Sequence, residues 1–185
     1  MKIKVTIQGV SPLLCNRFTE SAELSNGTSP AIKTGKKGTP REQAALKVYS
    51  DESGNLGIPG ANIMAAIVSA GRFIKAGKSK LTTQKSSLVP AGLTVEEIFL
   101  PLTPQKWEVD SRSVVIPSTG GRIMCFRPRF DNWRLSFTLD VDETFFAPEI
   151  VRQLLDEAGK KIGLGDWRLE RRGAFGKFLV KNWKQ

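Results

Sequence analysis

Apolar and polar residues alternate strictly at the start of the chain. Ile3, Val5 and Ile7 fall on one side, and Lys4, Thr6 and Gln8 on the other. A period of two predicts a half-buried β-strand over 2–8. The alternation returns from Arg134 to Val141, with Leu135, Phe137, Leu139 and Val141 inward. Ile63, Ile67, Ala70 and Ile74 recur at helical spacing, bracketed by Pro59-Gly60 and Gly77, and predict a helix over 60–77. A second helix is predicted from Pro148 to Ala158. Pro148 suits its first turn, Ile150, Leu154 and Ala158 share a face, and Gly159 is read as its stop. Val95 to Leu100, Arg122 to Arg127 and Phe175 to Trp183 read as further strands.

Three segments break these patterns. The longest, 15–57, carries the turn signals Asn26-Gly27, Ser29-Pro30, Gly35-Lys36-Lys37-Gly38 and Thr39-Pro40. It is expected to be a mobile basic arm, with room for a small hairpin between Ala44 and Asn55. The others are a polar basic loop over 78–91 and an irregular insertion over 101–121. With these set aside the order is βαββαβ. The expected fold is therefore α+β, with a ferredoxin-like or RRM-like core in a single domain over 1–185.

Composition narrows the function. The 185 residues include 28 basic and 18 acidic side chains, a formal charge of +10. Such an excess attracts phosphate polyanions. No basic amphipathic helix points to a membrane surface, and no apolar run approaches the roughly 20 residues that span a bilayer. The alternating start of the chain does not read as a signal peptide, so a cytoplasmic location is expected. There is no histidine, which excludes histidine acid–base chemistry and histidine-ligated metals within the chain. Cys15 and Cys125 lack metal spacing and are expected to be buried free thiols. No cofactor is expected.

The strongest chemical signal runs from Ile162 to Gly176, with Gly163, Gly165, Gly173 and Gly176 around Arg168, Arg171 and Arg172. Glycines free the backbone so that N–H groups can meet phosphate oxygens, and arginines add charge-assisted bonds. Trp167 and Phe175 are candidates to stack on bases. The alternative is a tight helix-to-strand connection with incidental arginines. The spacing fits neither a Rossmann fingerprint nor a Walker A loop. A second patch interleaves Arg122, Arg127, Arg129 and Arg134 with Phe126, Phe130 and Trp133. It reads equally as an RNA-holding strand surface or as core aromatics with solvated arginines. A third patch, Lys33, Lys36, Lys37 and Arg41, suits a phosphate backbone or plain solvation.

The glycine-rich loop resembles the C-terminal loop of the RAMP superfamily, the RRM-like proteins of CRISPR effector complexes. Ile162 stands at the hydrophobic position, Gly163 and Gly165 form the first pair, and Gly173 and Gly176 the second. The spacer is long, and the second pair reads Gly-Ala-Phe-Gly. Ile58-Pro59-Gly60-Ala61 is similar to the start of the first helix in that superfamily, and Ser11-Pro12-Leu13-Leu14 fits the end of its opening strand. The resemblance implies antiviral defence and a guide-RNA-coating backbone subunit, with single-stranded RNA and further copies or other effector subunits as partners. It also raises an aspartate-dependent ribonuclease, for which Asp51 and Asp110 are the candidates, although such aspartates are more often turn formers. A phage or mobile-element single-stranded DNA coat and a protein-interaction subunit are the other readings.

Overall fold

The computed structural model describes residues 1–18, 38–116 and 118–185. In chain order these form β1 (Lys2–Gly9), β2 (Leu13–Leu14), α1 (Pro40–Ala45), β3 (Tyr49–Ser50), β4 (Leu56–Pro59) and α2 (Gly60–Ala70). Next come β5 (Lys75–Ala76), β6 (Ser79–Lys80), α3 (Val89–Gly92), β7 (Leu93–Val95) and β8 (Phe99–Pro101). The chain continues through β9 (Glu108–Val115), β10 (Arg122–Phe130), β11 (Arg134–Val141), α4 (Pro148–Glu157) and β12 (Phe178–Lys184). The class is mixed α+β with antiparallel sheets.

The main sheet has the order β12-β1-β11-β7, with every neighbouring pair antiparallel. Alternation in β1 sets its two faces. Ile3, Val5 and Ile7 are buried in one core with Ile63 and Ile67 of α2 and with Val151, Leu154 and Leu155 of α4. The two helices touch each other and cover that face. Each such side chain contributes roughly 1.5–3 kcal/mol relative to exposure. The opposite face carries Lys4, Thr6 and Gln8 of β1 beside Arg134, Ser136 and Thr138 of β11.

Several expected boundaries move. The first helix ends at Ala70, not near 77. The Thr82 hydroxyl donates to the Val68 carbonyl at 2.6 Å and the Thr82 amide to the Gly71 carbonyl at 3.2 Å. These bonds cap the helix, and the basic loop after it contains the β5–β6 hairpin. Gly159 does not stop the second helix. It lies buried in a π turn over Ala158–Ile162, and the reversal comes at Gly163, where φ is +77°. The single strand expected over 95–100 is two strands, β7 paired with β11 and β8 with β4. Between them the Glu97 carboxylate accepts from the Thr138 amide, standing in for the missing backbone partner.

The other two expected insertions contain regular structure as well. Within 15–57, α1 is nucleated by a capping box. The Thr39 hydroxyl accepts from the Glu42 amide, the Glu42 carboxylate accepts from the Thr39 amide, and Pro40 opens the helix. β3 and β4 form the small hairpin anticipated there. Within 101–121, β9 pairs along its whole length with β10, and β10 pairs at its far end with β2. That hairpin and its sheet stand beside the main core and bring β9 and β10 against the glycine-rich loop.

Candidate nucleic-acid interface

The glycine-rich loop is built chiefly by backbone contacts. Leu164 donates to the Gly176 carbonyl at 3.0 Å, Gly176 to Pro12 at 2.8 Å and Asp166 to Leu14 at 2.8 Å. Gly173 donates to Arg168 at 3.0 Å and Phe175 to Trp167 at 3.2 Å. These amides hold the loop to its own chain, which corrects the expectation that they point outward at phosphate. Gly165 has a φ of +74°, and a Cβ there would overlap the Leu14 carbonyl. A Cβ on Gly173 would overlap the Trp167 carbonyl. Gly163, Gly165 and Gly173 therefore shape the loop.

Beneath the loop, arginines and aromatics interleave. The Arg127 side chain is 2% exposed and donates from Nη1 to Asp166 Oδ2 at 2.5 Å. Its guanidinium lies 5.0 Å from the Trp167 ring centre. Arg112 lies 4.8 Å from the Phe175 ring and 5.6 Å from Trp167, and its Nε binds both oxygens of buried Asp110. Phe175 is buried. Arg127 and Phe175 are thus not at the surface to meet RNA, and Trp167 is faced by guanidinium groups. Phe130 and Trp133 are wholly buried in the core, whereas Phe126 is only partly buried.

Above this stack a cleft of about 270 Å³ opens between the loop and α2. The two motifs singled out in the sequence meet here, since Ile58 and Asn62 line one side and Gly163, Gly165 and Arg168 the other. Cys15, Asn16 and Tyr49 close a third side. Pro59 at the N-cap has no side-chain acceptor to cap the amides at the start of α2. Burial pushes the Cys15 thiol up to about 12, so it sits in the wall as a neutral group. Burial also raises the Tyr49 hydroxyl, with Cys15 adding to the shift and Arg17 opposing it.

Arg168 is set in place by Glu170, with bonds of 3.1 and 2.8 Å from Nε and Nη2, and Glu170 also pairs with Arg72 of the turn after α2. Burial, the largest influence on Glu170, pulls its pKa upward. Hydrogen bonds from Arg168 and Ser69 and the charges of Arg168 and Arg72 together outweigh it and hold the carboxyl below its ordinary 4.5. A carboxyl lowered on folding stabilises the fold fully above its unfolded value, and that contribution is lost as pH falls through the lowered value. The clamp is complete at neutral pH and weakens below about 4.5. The urea-midpoint difference between wild type and Glu170→Gln is expected to shrink on acidification. A difference independent of pH would contradict the clamp.

The remaining candidates are spread out. Arg171 and Arg172 are exposed at the end of a 3₁₀ turn, and neither makes an ion pair among the described residues. Arg129 is held by Asp131 at 3.0 Å and Glu108 at 3.3 Å. Arg122 is exposed near the tip of the β9–β10 hairpin, and Arg134 lies on the open face of the main sheet opposite Gln8. Arg41 of α1 stacks over Trp107 at 4.4 Å. Lys33, Lys36 and Lys37 lie outside the described residues. Asp51 accepts from the Asn55 amide and side chain at 2.8 and 2.9 Å in the β3–β4 turn, and those bonds, the Asn55 side chain first, lower its pKa. Asp110 is tied to Arg112 on a strand rather than in a loop. Cys125 is only partly buried, beside Lys47 at 3.2 Å, unlike the buried thiol expected.

Asn16 and Tyr49 on the cleft wall were not picked out by sequence, and their only signal is their convergence. Asp110 was a candidate on its own, but its pairing with Arg112 carried no local signal. No protein-family model matches the chain, and no curated protein matches it. Among the described residues, no helix is long and apolar enough to cross a membrane, and no group of three or more acidic or cysteine side chains is placed to hold a metal ion.

Proposed function

We propose that this chain binds single-stranded RNA as a RAMP-like protein, in the manner of a guide-RNA-coating backbone subunit that packs beside copies of itself or other effector subunits in a CRISPR-type ribonucleoprotein. The observation that carries this reading is the meeting of the Ile58–Asn62 helix start and the Gly163–Arg168 loop at one cleft, with exposed Arg171 and Arg172 next to it in the chain. The proposed core is ferredoxin-like and RRM-like. Its support is the sheet order, in which the last core strand neighbours the first, then the third, then the second, under two helices.

Roles divide accordingly. Arg171 and Arg172 meet phosphates, and the +10 charge draws the polyanion in. Arg168, held by Glu170, shapes the cleft wall. The open face of the main sheet adds Lys4 and Arg134 but no aromatic side chain, so base stacking of the RRM kind is not assigned to it. No residue is assigned to catalysis.

The test is a titration of nuclease-treated protein into labelled single-stranded RNA and matched DNA at two salt concentrations. Tight, salt-sensitive RNA binding is expected. The Arg171→Ala/Arg172→Ala variant should weaken it and lower the slope of log affinity against log salt by about 1.4, at roughly 0.7 per phosphate contact. Equal affinity for DNA would point to a single-stranded DNA coat, since only the 2′-hydroxyl separates the polymers. Binding to neither would overturn the proposal in favour of a protein-interaction role.

A further inference from the structure

The cleft beside the glycine-rich loop has a divided lining. Ile58, Ala66, Ile162 and Leu164 supply apolar wall. Asn16, Tyr49 and Asn62 bring an amide, a phenol and a second amide to it. The two acids at its margin are already matched, Asp166 by Arg127 and Glu170 by Arg168 and Arg72. At about 270 Å³ the cleft is smaller than the roughly 300–1,000 Å³ of sites for drug-sized ligands. That is room for a planar heterocycle. An apolar wall with donors and acceptors beside it suits a planar ring that is apolar on its faces and polar at its edge.

We propose that this cleft takes a single unstacked nucleobase of the bound strand, its edge read by Asn62, Tyr49 and Asn16 and its faces lying against the aliphatic wall. This rests on the RNA-binding reading and adds to it. The phosphate contacts of Arg171 and Arg172 carry no base information, whereas the cleft makes one base per site matter. Asn62 comes from the first turn of α2 and Tyr49 from β3, so the pocket is assembled by elements far apart in sequence.

The experiment uses the full chain and two short RNAs of one sequence, one carrying 2-aminopurine and one with abasic sites throughout. Unstacking of 2-aminopurine raises its fluorescence. Wild type should give that rise and should bind the abasic strand about tenfold more weakly than the intact one, within the range for one base contact. Ala65→Phe, at an exposed position lining the cleft, fills it from the solvent side and removes no core side chain. It should abolish the fluorescence rise and bind both strands alike, while Arg171→Ala/Arg172→Ala weakens binding of both. Equal binding of intact and abasic RNA by wild type with no fluorescence change would overturn the base site and leave RNA binding standing. A full rise in Ala65→Phe would also overturn it. Failure to bind any RNA would remove both proposals.

Discussion

Trp133→Ala is expected to destabilise the protein by about 3–5 kcal/mol, the range for emptying a large buried aromatic site. Trp133 has no exposed surface. Its ring meets Phe178 edge-on with centroids 6.4 Å apart, and its Nε1 donates to the Ser11 carbonyl at 2.8 Å. It covers Gly9, where any Cβ would overlap the indole. The side chain thus ties β1, the turn before β2, the start of β11 and β12 together, and its neighbours cannot all close over the space it leaves. Trp133→Phe keeps most of the volume but leaves the Ser11 carbonyl without its donor, at about 1–3 kcal/mol. Urea midpoints of the two variants should fall in that order. Two small, equal shifts would mean that the indole is not the tie described.

The second large effect lies at the buried Arg127–Asp166 pair, and it should be lopsided. Asp166→Ala leaves a guanidinium that is 2% exposed without its carboxylate, and its Nε and Nη2 already have no partner. An uncompensated buried charge of this kind costs about 3–5 kcal/mol. Asp110 stands directly across the ladder from Arg127 but is held by Arg112, so it is not free to replace Asp166. Arg127→Met leaves Asp166, which is 29% exposed and reached by water, and puts a flexible apolar chain of similar volume against Trp167. That change is expected to cost less than half as much. Chemical denaturation of both variants decides it, and equal losses would show that the pair does not act as a buried cation awaiting its anion.

The regular parts of this fold were legible because their patterning is clean. β1 and β11 alternate with apolar residues on one side only, and the structure pairs them residue for residue, Val5 opposite Phe137. α4 shows its apolar stripe in Ile150, Leu154 and Leu155. β9 was not legible, because its inward positions hold Asp110 and Arg112. The buried Asp110 carboxylate, held by the partly exposed Arg112, satisfies the packing while erasing the hydrophobic period by which a strand is read. Helix α1 did carry a signal, the capping box at Thr39 and Glu42 followed by Pro40's ring at the first turn. It was masked by the turn-rich sequence before it and by the helix being only six residues long.

The candidate site divides along the same line. Sequence by itself determined the net charge, the absence of histidine, the patterning of β1, β11 and α4, and the presence of the Ile58–Asn62 and Gly163–Arg168 motifs. Those properties are additive along the chain or local within a few residues. Only the tertiary structure decided that the two motifs share a cleft and that Arg127 and Phe175 are structural while Arg171 and Arg172 stay exposed. The same holds for the loop amides, which are taken by Pro12, Leu14 and Gly176. Whether an arginine meets solvent or a buried aspartate depends on what the fold places opposite it. That partner comes from a strand or loop 39 residues away at Arg127–Asp166, a distance over which local pattern carries no information.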